Sequence, residues 1–238
     1  MNLESHVFVS KVVHDQISKV FPVVVSRKLF RAGNVLSDYS LLVWTKPHYY
    51  LVSWEFIEEY IDKVCSLKTD EDATDPDLLL SFQLGIICHY ITDFFCRAHI
   101  GTGIGPKREH LQYEDFLDNY RYSIKEELEN YDWLDGLEAD VSPRIVKENL
   151  KRKIELYRQS PASPERDITM AIANCVQVML SIIAIRLRQT ATRDIFSILH
   201  SPVLSINWPS VTMAELYQMV MQKQYSKVLA TIPALAYK

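Results

Sequence analysis

Residues 76–98 read PDLLLSFQLGIICHYITDFFCRA. Laid on a helix, Leu78, Leu79, Leu80, Phe82, Leu84, Ile86, Ile87, Tyr90, Ile91, Phe94 and Phe95 cover nearly every side. A helix that is apolar all round belongs at the centre of a structure, with others packed over it. Pro76 suits a first helical position and Asp75 an N-cap. Yet His89 and Asp93 lie inside the segment and His99 just beyond it. An ionised carboxylate in a dry core is costly unless something partners it.

Outward from this helix, apolar residues recur at helical spacing. Helices are expected near 3–21, 53–67, 108–131, 142–158, 164–189 and 212–229. Pro22 closes the first. Ser163 before Pro164 opens another, and TMAE at 212–215 fits a capping box. LFRAGNVLSDYS at 29–40 reads as an irregular loop, and GTGIGP at 101–106 as a turn. GTGIGPKR lacks the G-K-[ST] ending of a phosphate loop. The chain has only 6 glycines in 238 residues and no paired runs that suggest a hairpin. The expected fold is all-α, a multi-helix bundle in a single domain over residues 1–238.

Hydrophobic residues make up 48% and charged residues 24%, ordinary values for a globular protein. A formal net charge of −4 lacks the footprint of a general nucleic-acid binder. KENLKRK and AIRLRQTATR read as solvated helix faces that can also meet anionic lipid. No run reaches the ~18 uninterrupted apolar residues of a membrane span. MNLESHVFVSKVVHDQ has no secretory-signal pattern, so a cytoplasmic location is expected. Cys65, Cys88, Cys96 and Cys175 match no disulfide framework or zinc ribbon and read as buried thiols in a reducing compartment.

Spacing brings out the ligand-type residues. His89 and Asp93 are four apart, one turn on a helix, and so are His110 and Glu114. Two such pairs on facing helices supply four ligands to a bundle core. The bland alternative pairs Asp93 with Arg97, leaves His89 a satisfied core histidine and makes His110 and Glu114 part of a solvated face. Spacing alone leaves both open. His6, Asp38 and His48 add ligand types elsewhere, whereas His14 and His200 have no matching partner. Imidazole with carboxylate, without thiolate, suits a hydrolytic zinc site better than a structural finger.

Four stretches together resemble the zinc-dependent phospholipase C and S1/P1 nuclease superfamily: SHVFVSKVV (5–13), GNVLSDYS (33–40), LGIICHYITDFFCRAH (84–99) and EHLQYEDFLD (109–118). The resemblance implies an all-α fold carrying two or three Zn2+ ions. It implies that His48, His89 and Asp93 hold one ion, with Asp38 beside it as ligand or general base. His99, His110 and Glu114 would hold a second. His6 and a bridging Asp93 would hold a third, which the family completes with an N-terminal tryptophan. Residue 1 here is Met1, five residues before His6, close enough to reach. Arg97 stands where the family usually has proline.

The implied chemistry is zinc-dependent phosphodiester hydrolysis, with Asp38 orienting a water or taking its proton. Tyr39, Trp44, Tyr49 and Tyr50 lie near the Asp38 loop, and aromatic rings there can take a choline-type ammonium or a base. Of these, Tyr39 is the expected substrate-binding residue. The expected substrate is a phospholipid or other phosphodiester, with peripheral membrane contact and no stable nucleic-acid partner. A single-strand nuclease or 3′-nucleotidase on the same scaffold, and a non-catalytic metal-binding helical protein, are the competing readings.

Overall fold

The computed structural model describes residues 1–21, 24–39, 46–67, 77–100, 107–135, 140 and 142–199. Among them are eight α-helices, two short 3-10 turns and no strand. The helices are α1 (Leu3–Val20), α2 (Arg27–Leu36), α3 (Tyr50–Ser66), α4 (Leu78–Phe94), α5 (Lys107–Ser123), α6 (Lys125–Asn130), α7 (Pro143–Arg158) and α8 (Pro164–Leu199). The 3-10 turns are Ser37–Tyr39 and Arg97–His99. The fold is all-α, as expected. The predicted helix at 212–229, its capping box and His200 lie outside the described residues, as do Trp44 and the turn at 101–106.

The apolar segment forms α4, which packs against α1, α2, α3 and α8. Its N-cap is Asp77 rather than Asp75: the Asp77 carboxylate accepts the Leu80 N–H at 2.8 Å. The Asp77 carboxylate supplies the acceptor that the free N–H groups of the first turn need. The second central helix is α8. Within its stretch Pro164–Gln189, long enough to cross a membrane, an 18-residue window has a mean hydropathy of 2.1, but 78% of that window is buried inside the protein. Ser163 and Pro164 open α8 as the sequence suggests, and Ser142 caps α7.

Two expectations need correction. Residues 29–40 are not an irregular loop: most of them are helix α2 and the 3-10 turn after it. Gly33 lies within the helix and is a contact point. A Cβ on Gly33 would stand 2.0 Å from the Phe82 carbonyl oxygen, and one on Gly85 would stand 2.2 Å from that of Phe30. The two glycines let the backbones of α2 and α4 touch, a small-residue contact that single-helix periodicity does not reveal. Nor is AIRLRQTATR wholly a solvated face. Arg186 is buried, donating to the Val64 carbonyl at 2.9 Å and to Asp77 at 3.1 Å. That ties α8 to the end of α3 and the start of α4.

Candidate metal centre

Five elements bring their polar residues to one place. α4 carries His89 and Asp93 one turn apart, both fully buried. α1 lays the His6 ring flat on that of His89, centroids 4.1 Å apart. Between them Asn34, its amide oriented to satisfy both groups, spans from the His6 carbonyl to the His89 N–H at 3.3 Å each. Asp38 comes from the 3-10 turn that follows α2, where Ser37 Oγ donates to the Gly33 carbonyl at 2.8 Å. The glycine contact between α2 and α4 therefore sets how closely Asp38 approaches His89.

His48 precedes α3 on a short pinned segment. Tyr90 donates its hydroxyl to the Lys46 carbonyl at 2.7 Å, and Ser53 donates to that of Pro47 at 2.5 Å. His99 sits on the second 3-10 turn, and His110 and Glu114 lie one turn apart on α5.

Around the first cluster, His48 Nδ1 lies 2.9 Å from His89 Nε2, 3.3 Å from Asp38 Oδ1 and 3.2 Å from Asp93 Oδ2. His89 Nε2 lies 3.5 Å from Asp38 Oδ1 and 3.3 Å from Asp93 Oδ2. Zinc bonds of 2.0–2.1 Å in a tetrahedron separate their ligand atoms by about 3.3 Å. These separations therefore fit four ligands around one ion. The other carboxylate oxygen, Asp93 Oδ1, turns to a second group: His6 Nε2 at 3.2 Å, His99 Nε2 at 3.7 Å and the Met1 amino nitrogen in direct contact.

The third group is His99, His110 and Glu114. Glu114 Oε1 lies 2.8 Å from His99 Nε2, 3.2 Å from His110 Nε2 and 3.1 Å from the Met1 nitrogen. His99 Nδ1 faces the His48 carbonyl at 3.0 Å. A carbonyl accepts only, so Nδ1 carries the proton and Nε2 presents a lone pair, the usual setting of a metal-binding imidazole.

Burial and charge pull against each other here. Burial lowers the His48 pKa, but the Asp38 and Asp93 carboxylates outweigh it and lift it to about 9. Burial and the neighbouring His6 hold His89 well below its ordinary value. Burial also keeps His99 low. Burial raises Asp93 and Glu114, yet the surrounding nitrogen groups win and hold both carboxylates far down. His6 Nε2 and Asp93 Oδ2 are buried, point into the cluster and find no hydrogen-bond partner among the described residues. Unpaired buried polar atoms cost about 1–3 kcal/mol each. Asp93 Oδ2 faces the first group and His6 Nε2 the second, so each group holds a buried atom that a cation would satisfy, and the imidazole-and-carboxylate donor set fits zinc.

All eight expected ligands thus converge. No Asp93–Arg97 ion pair forms: Arg97 instead donates its backbone N–H to Asp167 at 2.8 Å. His14 has the bland role expected, facing the Val25 carbonyl at 3.0 Å. Tyr50 is core, buried with its hydroxyl on Glu155 at 2.9 Å. Tyr39 is 70% exposed. Of the tyrosines near the Asp38 loop, Tyr49 lies beside ligands, with ring centroids 5.6 Å from His99 and 6.3 Å from His110.

Two residues went unrecognised in the sequence. Cys96 is buried with its sulfur within 4.8 Å of the His99 and Glu114 ligand atoms. It lies three residues before His99, but beside Phe95 it read as a core thiol. Asp167, at the start of α8, is buried and accepts from Tyr157 at 2.5 Å, Tyr113 at 2.8 Å and the Arg97 N–H. Acids are common in first helical turns, so nothing in its context singled it out.

The family model described as zinc dependent phospholipase C matches residues 5–163, more than half of the chain and all the residues of the site from His6 to Glu114. The chain belongs to the zinc-dependent phospholipase C family, a family of hydrolases. No curated protein and no solved structure matches it.

Proposed function

We propose that the protein hydrolyses the phosphodiester bond of a phospholipid, with two or three zinc ions held by His6, Asp38, His48, His89, Asp93, His99, His110 and Glu114. The observation that carries this reading is the division of Asp93. One carboxylate oxygen faces His48 and His89, and the other faces His6. His48, His89 and Asp93 would hold one ion, and His6 with the other oxygen of Asp93 would hold another. The bound ions supply Lewis acidity to the phosphoryl oxygens and hydroxide near neutral pH.

The chain's own groups do the rest. Asp38 has 32% of its side chain exposed, against 0–1% for His89 and Asp93. It is the carboxylate of the first cluster that water and substrate can reach. It orients the attacking water or takes its proton. His110, 16% exposed, and the half-buried Tyr49 stand side by side at the third group of ligands. Tyr49 walls the side where the phosphoryl group meets the third group of ligands. Tyr39, next to Asp38, stands out on the rim, where it can meet the headgroup.

Metal analysis of the purified protein tests this, alongside the His89→Ala/Asp93→Ala variant. Two to three zinc per chain are expected, with loss in the variant. Phosphatidylcholine and single-stranded DNA are then assayed side by side, with EDTA and zinc restoration. Well under one zinc per chain after mild purification sinks the site. Zinc with DNA cleavage but no lipid hydrolysis favours the nuclease reading. Zinc with neither activity leaves a metal-binding protein.

A further inference from the structure

A second cleft, of about 360 Å3, lies between α1, α2 and the α5–α6 corner. None of the residues of the metal centre lines it. Of its α1 residues, Glu4, Phe8 and Lys11 sit roughly 140–160° around the helix from His6, Val7 roughly 100° and Ser10 roughly 40°. Six cationic side chains meet there: Lys11, Arg27, Lys28, Arg31, Arg121 and Lys125.

Some are neutralised. Lys11 reaches Glu129 at 2.6 Å, Arg121 reaches Asp118 at 2.7 Å, and Arg27 contacts Asp15. Lys28 and Arg31, one turn apart on the exposed side of α2, form no ion pair among the described residues. Counting Glu4 with these acids, the ten groups sum to +2 in a chain of net charge −4, so the rest carries −6. The positive charge is local.

An independent feature of α2 points the same way. Its first turn carries Arg27 and Lys28 and no acid, and Ser26 makes no side-chain cap. Cations at the positive end of a helix, with no acceptor for its free N–H groups, are locally unfavourable. An anion in the cleft reverses the sign of both effects. Departures from local rules of this kind mark functional positions.

We propose that the cleft binds a phosphate-monoester dianion, separately from the metal centre. A volume of this size holds one phosphate group with a small substituent. The same dianion is offered by a free phosphorylated compound and by the headgroup of a phosphatidic-acid-type lipid.

The test compares wild type with Lys28→Glu/Arg31→Glu, both zinc-loaded. Lys28→Gln/Arg31→Gln is a milder second variant. Each is titrated calorimetrically with inorganic phosphate and sedimented with phosphatidylcholine vesicles, with and without phosphatidic acid. The expected result is at least a ~tenfold loss of phosphate affinity, or of binding to the acidic vesicles, while zinc content and melting temperature stay unchanged. Loss of phosphate binding assigns a soluble ligand, and loss confined to vesicles assigns the lipid. Equal binding by all three proteins, or no binding by wild type, overturns the proposal.

Discussion

Asp93 concentrates the logic of the site in one side chain. It is fully buried and faces four imidazoles, those of His6, His48, His89 and His99, and the Met1 amino nitrogen. Replacing it with Asn keeps the size and one oxygen but removes the charge that two groups of ligands share. Asp93→Asn is expected to weaken zinc binding by more than the ~10–100-fold typical of an outer-shell partner, and to cost more than one ion per chain. Competition with a chromophoric chelator, read with metal counts, checks this. Retention of the full zinc complement contradicts a bridging role. His48 sets the pH dependence. Without metal its pKa is about 9 against an ordinary 6.5. Its proton then favours the folded state below pH 6.5, and that contribution is lost as pH rises through 9. A metal at Nδ1 must displace this proton, so zinc affinity should climb ~tenfold per pH unit and level off above about 9. A flat affinity profile between pH 6.5 and 9 counts against His48 as a ligand.

At the scale of the element, two contacts hold the ligands in place, and neither is made by a ligand. One is the glycine crossing of α2 and α4. Gly33→Ala puts a methyl group against the Phe82 backbone, so the helices must separate. Overpacking of this kind costs about 1–3 kcal/mol, and here it also lifts Asp38 away from His89. Urea unfolding measures the first effect and zinc affinity the second. The other contact is Asp167, whose carboxylate collects Tyr157, Tyr113 and the Arg97 N–H. It fixes the turn that presents His99 and the stretch of α5 that presents Glu114. Asp167→Ala is expected to weaken zinc binding at His99, His110 and Glu114 by ~10–100-fold while leaving the His48–His89 group loaded. Uniform loss at both groups argues instead for a general loss of the fold. These contacts explain what the sequence did and did not reveal. Ligand pairs four apart on α4 and α5 are legible, because helix geometry alone puts them on one face. The helical state of residues 29–36 is not, because it depends on Gly85, more than fifty residues away. Cys96 and Asp167 were hidden for the same reason, since only the packing of α8 and α5 around the second 3-10 turn gives them their neighbours.

At the scale of the molecule, the core helices and the site are one construction. α4 and α8 gather the rest of the described chain around them, and the apolar count of α4 predicted its central position without any coordinates. The burial of Arg186 was not predictable, because it follows from partners at the end of α3 and the start of α4. Metal should therefore show in global stability. With free zinc 100-fold above its dissociation constant, the folded state gains about 2.7 kcal/mol, roughly 5–10 °C in melting temperature for a chain of this length. Thermal melts before and after chelation, with zinc returned at the end, measure it. An unchanged midpoint means that no ion binds the folded state tightly. The four cysteines are all buried and all free. Ions that tie Asp93 to Asp38 on one side and to His6 on the other would close loops on the order of 50–90 residues, and cross-links restrict an unfolded chain more as the loop grows. Stripping the metal would then loosen this protein much as reduction loosens one held by disulfides.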